Sequence, residues 1–503
     1  MKTKHLAVLL ILIICAPLAL SPQVEAVVPP PDGGYPNGNT AEGHNALLNL
    51  TSGGYNAALG WLSLSSLTTG NFNTAVGAGT LALNTGEENT ASGTGALLFN
   101  TSGIQNTANG AFALFNNNIG NFNTAIGFQT LFSNTDGLSN TAIGVQAMQN
   151  NTNGLNNTAT GVLALTGNTT GDLNTANGSA ALLSNDTGNN NTATGASALQ
   201  NNTTGNSNTA NGYAALQSNT TAEGNTAVGY KALQLSTTGE RNTAVGFEVL
   251  INSTGTHNTA AGHSAMSSDT TGSSNAAYGY NALASNLTGN CNTAMGYGAL
   301  VTQMSGDFNI GLGLFAGNGI TTASNVISIG TSGANVNDSC YIGNIWTQPG
   351  GSQAVYVNSD GKLGAQVSSR RFKSDIKPMD EISEEVYALQ PVTFRYKKEI
   401  DPAGTLQFGL VAEDVDKVDP DLVVRDKEGR PYSVRYDQVN AMLLNEFLNE
   451  HGAFLKEQLK VTDQQKEIDA LKKELKEQRS LIRKISDRIE LGRSTTRVAR
   501  HKP

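Results

Sequence analysis

A serine and a lysine five residues apart, Ser368 and Lys373, sit in the basic stretch Ser368-Ser369-Arg370-Arg371-Phe372-Lys373. A serine hydroxyl is a weak nucleophile at neutral pH, so a base must take its proton, and lysine can replace the histidine of a Ser-His-Asp triad. The amine must then be neutral. Burial in an assembled interface near Arg370 or Arg371 would disfavour the ammonium form and so couple the chemistry to assembly. On spacing alone the pattern is common and assigns nothing.

The remaining chain offers less chemistry. Acids at Glu42, Glu87, Asp172, Asp186, Glu223 and Asp269 fall at different phases of the repeat described below, whereas glycosidase chemistry needs two carboxylates facing one bond. His257 and His263 lack further ligands and read as solvated surface. Beyond Cys15 only Cys291 and Cys340 remain, which is neither a disulfide framework nor a metal cluster, and whether they pair stays open. No cofactor and no metal are expected. The many Asn-x-Ser/Thr triplets match the glycosylation rule, but the repeat itself generates them, and they are assigned to turns.

The element carrying most of the chain is a repeat. Asn-Thr-Ala-x-Gly recurs with small variations from Asn39 to Asn309 in 17 copies, spaced 17 residues apart except for two steps of 16, Asn73 to Asn89 and Asn242 to Asn258. One unit, Asn208 to Gly224, has Ala210, Ala215 and Leu216 as its main apolar positions. Such a unit has room for two short extended segments with Gly and Asn at the corners, and none for an ordinary helix. A single unit cannot bury its apolar side chains, whereas stacked units align Ala on Ala and Asn on Asn, which predicts a β-solenoid on the order of 80 Å long. Alanine makes a thin core, so three chains packed around an axis are expected. The coils resemble the heads of trimeric autotransporter adhesins, whose usual repeat is shorter.

Bulk properties agree with a fibre. The 503 residues include 56 glycines, are 38% hydrophobic and only 14% charged. A net charge of -9 gives no general attraction to nucleic acid or anionic membrane. Lys2 and Lys4, an apolar stretch from Leu6 to Leu20 and the small-residue site Val24-Glu25-Ala26 have the layout of a secretory signal. The stretch is short for a membrane span and is interrupted by Pro17. A secreted or cell-surface protein is expected, with no integral span after signal removal.

After Gly313 come Val326-Ile327-Ser328-Ile329, Tyr341-Ile342-Gly343-Asn344-Ile345 and Ala354-Val355-Tyr356-Val357, which read as strands of a neck, with a hairpin turn at Asp360-Gly361. At Ser368 the charge density rises. From there Ser368 to Met379, Pro391 to Tyr396, Phe408 to Val415 with Pro420 and Val423, and Tyr432 to Tyr436 resemble, in order and spacing, the intramolecular chaperone domain of phage endosialidase tailspikes. About 100 residues are covered. The resemblance implies that three such domains assemble, guide folding of the preceding fibre and then cut themselves off. It implies Ser368 as nucleophile, Lys373 as base, the Val367–Ser368 bond as the point of cleavage, and Arg371 and Asp375 in support. The sequence departs from the family at Ser369, where the family has Asp, so an uncleaved trimer cap is the alternative outcome.

From Asn440 to Leu491, Phe447, Phe454, Val461, Ile468, Leu475, Ile482 and Ile489 recur at seven-residue steps with Leu471 and Ile485 between them, which predicts a coiled coil. The expected organisation is a mainly β chain: signal peptide 1–26, linker 27–38, solenoid 39–316, β-rich neck 317–367, small α+β chaperone domain 368–439, helix and coiled coil 440–491, and basic tail 492–503. The expected partner is the chain itself as a homotrimer, with a surface glycan or host receptor as ligand of an adhesin-like rod. A phage tail fibre that binds surface carbohydrate is the rival reading. No nucleic-acid partner is expected.

Overall fold

A computed structural model describes residues 35–344, 355–357, 361, 363–365 and 367–498. The signal-like segment, most of the linker, and Arg500, His501 and Lys502 of the tail lie outside them. The chain divides into two compact units between Gln348 and Pro349.

The first unit is a parallel β-solenoid. Nineteen three-residue strands, from Thr40–Glu42 to Cys340–Ile342, stack in sequence order into one sheet in which each strand pairs in register with the next, as Thr192, Ala193 and Thr194 do with Thr209, Ala210 and Asn211. The central residue of each repeat strand points inward. Ala193, Ala198, Leu199, Ala210, Ala215 and Leu216 are fully buried, so two alanine columns and one leucine column form the core within a single chain.

Each coil has one strand where two extended segments were expected. The reason is local: Ala214 and Leu216 take φ of 54° and 51°, so the segment after the strand winds as successive turns. Its backbone still bridges coils, with the Leu216 N–H donating to the Ala232 carbonyl at 2.9 Å. A leucine in the left-handed region is costly, and its complete burial offsets that cost.

Two asparagine ladders run through the interior. The Asn191 side chain accepts from the Asn208 backbone N–H at 3.0 Å and donates to the Gly205 carbonyl at 2.8 Å. The second ladder joins side chain to side chain, as where Asn202 donates to Asn185 at 2.7 Å and to the Gly205 carbonyl at 3.0 Å. Buried amides must find partners, and stacking supplies them coil by coil. Asn100, Asn168, Asn185, Asn202, Asn219 and Asn286 head glycosylation triplets but are buried ladder members. Their amides are committed to the fold.

The second ladder is interrupted at Ser236. Its hydroxyl is too short to reach back, leaving both Ser236 Oγ and Asn219 Oδ1 buried without a partner. Ser236→Asn should restore the missing link and stabilise the rod by about 1–3 kcal/mol. A raised denaturation midpoint checks this, and an unchanged or lowered one would count against it.

Farther along, Asp269 occupies a ladder position. It is fully buried, accepts from Ser253 at 2.5 Å and from Asn286 at 2.8 Å, and burial outweighs these bonds to push its carboxyl up from 3.8 to about 6. The folded chain therefore holds this proton more tightly than the unfolded one. Stability from this group is greatest below pH ~4 and falls as pH rises through the window up to about 6, by on the order of 3 kcal/mol. Asp269→Asn keeps a ladder amide, should abolish that slope, and should raise stability at pH 7. Equal pH profiles of the two proteins in chemical denaturation would contradict this.

Outside the core, two columns face outward. The third strand position carries Val245, Ala261, Tyr278, Met295, Leu312, Ile329 and Ile342 in later coils. The position after the following glycine carries Tyr213, Tyr230, Phe247, His263, Tyr280 and Tyr297, stacked with ring centroids 4.8–5.5 Å apart.

The sheet continues past the last Asn-Thr-Ala-x-Gly copy. Ile327–Ile329 and Cys340–Ile342, read as neck strands, pair parallel onto the solenoid and extend it beyond residue 316. The motif disappears because Val326 takes the ladder position and Ser328 the alanine position. The Val326 N–H nonetheless donates to Asn309 at 2.8 Å.

The second unit is small and mixed. Val355–Val357 and Leu363–Ala365 form an antiparallel hairpin with Gly361 at φ 79° between them. Then come a 3-10 stretch Asp380–Ala388, the antiparallel pair Val392–Phe394 and Gln407–Gly409, the helix Ala412–Val418, a second pair Val423–Arg425 and Pro431–Val434, and the helix Tyr436–Val498. Val386, Val415, Leu422, Val423, Val434, Val439 and Met442 make its core. The last helix is continuous over 63 residues, wider at both ends than the expected 440–491, and its seven-residue apolar seam from Phe447 to Ile489 is exposed in the single chain.

Candidate self-cleavage site

Ser368 follows the hairpin of Val355–Val357 and Leu363–Ala365 within the second unit. Arg370–Phe372 forms one 3-10 turn, closed by the Phe372 N–H donating to the Ser369 carbonyl at 2.9 Å and the Lys373 N–H to the Arg370 carbonyl at 3.1 Å. This turn folds the chain back by five residues. The Lys373 ammonium then donates to Ser368 Oγ at 3.1 Å.

At this distance a neutral amine could accept the serine proton. Both side chains, and Val367 before them, are exposed. Of the supporting residues, Arg371 lies over the Phe372 ring with 4.6 Å to its centroid, and Asp375 has a left-handed backbone with φ 52°. Neither is bonded to the Ser368–Lys373 pair among the described residues. Ser369 contributes its carbonyl to the turn and makes no side-chain cap.

Long-range links hold the surrounding scaffold. Ser383, fully buried, donates to Glu446 at 2.5 Å, and Tyr387 donates to Glu450 at 3.0 Å, tying the 3-10 stretch to the long helix. The Tyr436 hydroxyl accepts from the Leu410 N–H at 2.9 Å. Sequence reasoning missed the Ser383 and Tyr387 links, since their partners lie 63 residues away and neither end carries a local signature.

Among the described residues, no group of three or more His, Cys, Asp or Glu could hold a metal ion, and no helix is long and apolar enough to cross a membrane.

A parallel solenoid joined in one chain to a segment that matches a chaperone-of-endosialidase model suggests a tail-fibre-like protein. Residues 368–424 match the family model of the chaperone of endosialidase. The match starts at the serine of the Ser368–Lys373 pair and ends within the strand Val423–Arg425. No curated protein and no solved structure matches the chain.

Proposed function

We propose that the chain is an exported fibre subunit whose C-terminal unit gathers three copies, sets their register, and then releases itself by cutting the Val367–Ser368 bond. The observation carrying this reading is the 3.1 Å approach of Lys373 to Ser368 at the first residue of the family match. Repetition supplies the need: slipping a chain by one 17-residue coil preserves most contacts, so a rod cannot choose its register unaided.

The chemistry balances with one water. Neutral Lys373 takes the Ser368 hydroxyl proton as Oγ attacks the Val367 carbonyl carbon. The peptide C–N bond breaks, Lys373 returns the proton to the departing Ser368 amine, and an ester links the Val367 acyl group to Oγ. Water hydrolyses that ester, leaving a Val367 carboxylate and a free Ser368 N-terminus. In the single chain both side chains are exposed, so burial on assembly is the step that would favour the neutral amine. The exposed seven-residue seam of the long helix suits a three-stranded coiled coil that brings the units together.

Ser369 favours a second reading, a cap that assembles but stays attached. Intact-mass analysis of folded, sedimentation-defined trimers separates the two. Fragments beginning at Ser368 support release, full-length chains alone support the cap, and a stable compact monomer would remove both. The adhesin-like, cell-surface role belongs to the same proposal, and glycan-array binding by the rod tests it.

A further inference from the structure

We infer that the outward apolar columns of the later coils are the surface on which copies of this chain pack against each other along the rod. This rests on the self-association proposed above and assigns it a face.

The third strand position is the most informative. In four middle coils it holds Thr160, Asn177, Thr194 and Asn211. Early coils carry Leu59, Val76, Ile126 and Ile143 there, and later coils carry Val245, Tyr278, Met295, Leu312, Ile329 and Ile342, broken once by Ala261, each of the large residues 38–45% exposed. The inward columns stay alanine and leucine through the middle coils and up to Leu300, apart from Val249 and Met266, so the coil's own folding does not account for the change. Beside this column runs the stacked ring ladder from Tyr213 to Tyr297, whose ring faces are covered by one another while their edges remain open. A sugar needs a free ring face, so the ladder suits an apolar wall better than a sugar platform.

Area and spacing choose the occupant. Together the two columns leave eleven large apolar or aromatic side chains 38–53% exposed, more exposed apolar surface than the largest patch of a typical monomer and of the kind that an interface covers. Its side chains repeat at the coil spacing over many coils. A partner that matches such a comb without strain must have the same rise, and a second copy of this chain has it.

The chain carries its own probes. Cys340 is exposed in the last strand, in register with Ile327 at the sheet's outer face. Cys291 is also exposed, but in a different column, where neighbouring coils carry Phe308, Ser274, His257 and Arg241. Timed maleimide labelling of the assembled mature chain, read by peptide mass, should show Cys340 slowed at least about ten-fold relative to denatured chain while Cys291 stays fast. The triple variant Tyr280→Gln, Met295→Gln, Leu312→Gln should restore fast labelling of Cys340. If the chain sediments as a trimer yet both cysteines label equally fast, the face is wrong and self-association through the long helix survives. A monomer overturns both.

Discussion

Ser368→Ala, expressed from the full chain, should give only uncut polypeptide in folded trimers, with the rate of release lowered by about 10³-fold or more. Alanine removes the attacking oxygen and alters little else, since Ser368 is exposed and its side chain bonds only to Lys373 among the described residues. Lys373→Met should be equally inactive. Lys373→Arg is the sharper test, because arginine keeps the charge and can still approach Oγ but cannot serve as a base near neutral pH. All three should assemble as the unaltered chain does. Should Lys373→Arg release its C-terminal unit at the ordinary rate, the lysine merely positions the loop and another base must be found. Release by Ser368→Ala itself would end the assignment of the nucleophile.

The second large effect lies in the rod. Gly212 follows a strand at φ 143°, where side-chain-bearing residues are strained, and a Cβ there would stand 2.3 Å from the Gly229 carbonyl oxygen of the next coil. Neither group can yield, since both belong to the stacked backbone. Gly212→Ala should therefore cost about 3–5 kcal/mol and separate the coils on either side, because each coil is held only by its neighbours. Limited proteolysis should cut near this coil in the variant and not in the parent. Gly224→Ala is the control: its φ of 69° is also left-handed, but the nearest atom is Arg241 Cγ at 3.4 Å, so a loss of about 1 kcal/mol is expected. Equal losses at both sites would show that backbone strain, and not coil separation, governs the rod.

The solenoid was legible because its period is nearly invariant and its alanines and asparagines keep one phase. Ala210, Ala215 and Leu216, read as the apolar positions of a coil, are all fully buried. The expected thinness of the core was read correctly in residue type, but one chain closes that core by itself, helped by ladder amides whose hydrogen bonding a count of apolar residues ignores. What remains for partner chains is the outer surface. The single strand per coil was not legible, since leucine gives no hint that it will adopt a left-handed backbone. The last two coils were hidden because their ladder and core residues change while their hydrogen bonding persists. Their spacing shortens too, with Ile327 paired to Cys340 only 13 positions on. At the candidate site, the resemblance named Ser368 and Lys373, and the 3-10 turn that folds one back toward the other became visible only in three dimensions. The links from Ser383 and Tyr387 to the long helix had no local sign at all.

The asparagine ladders make each coil both a template for the next and a copy of the last. A whole coil could therefore be gained or lost with the new junction satisfied by the same amide contacts. Reach would then vary in quanta of roughly 4.8 Å, so that rod length can change while the C-terminal unit stays as it is.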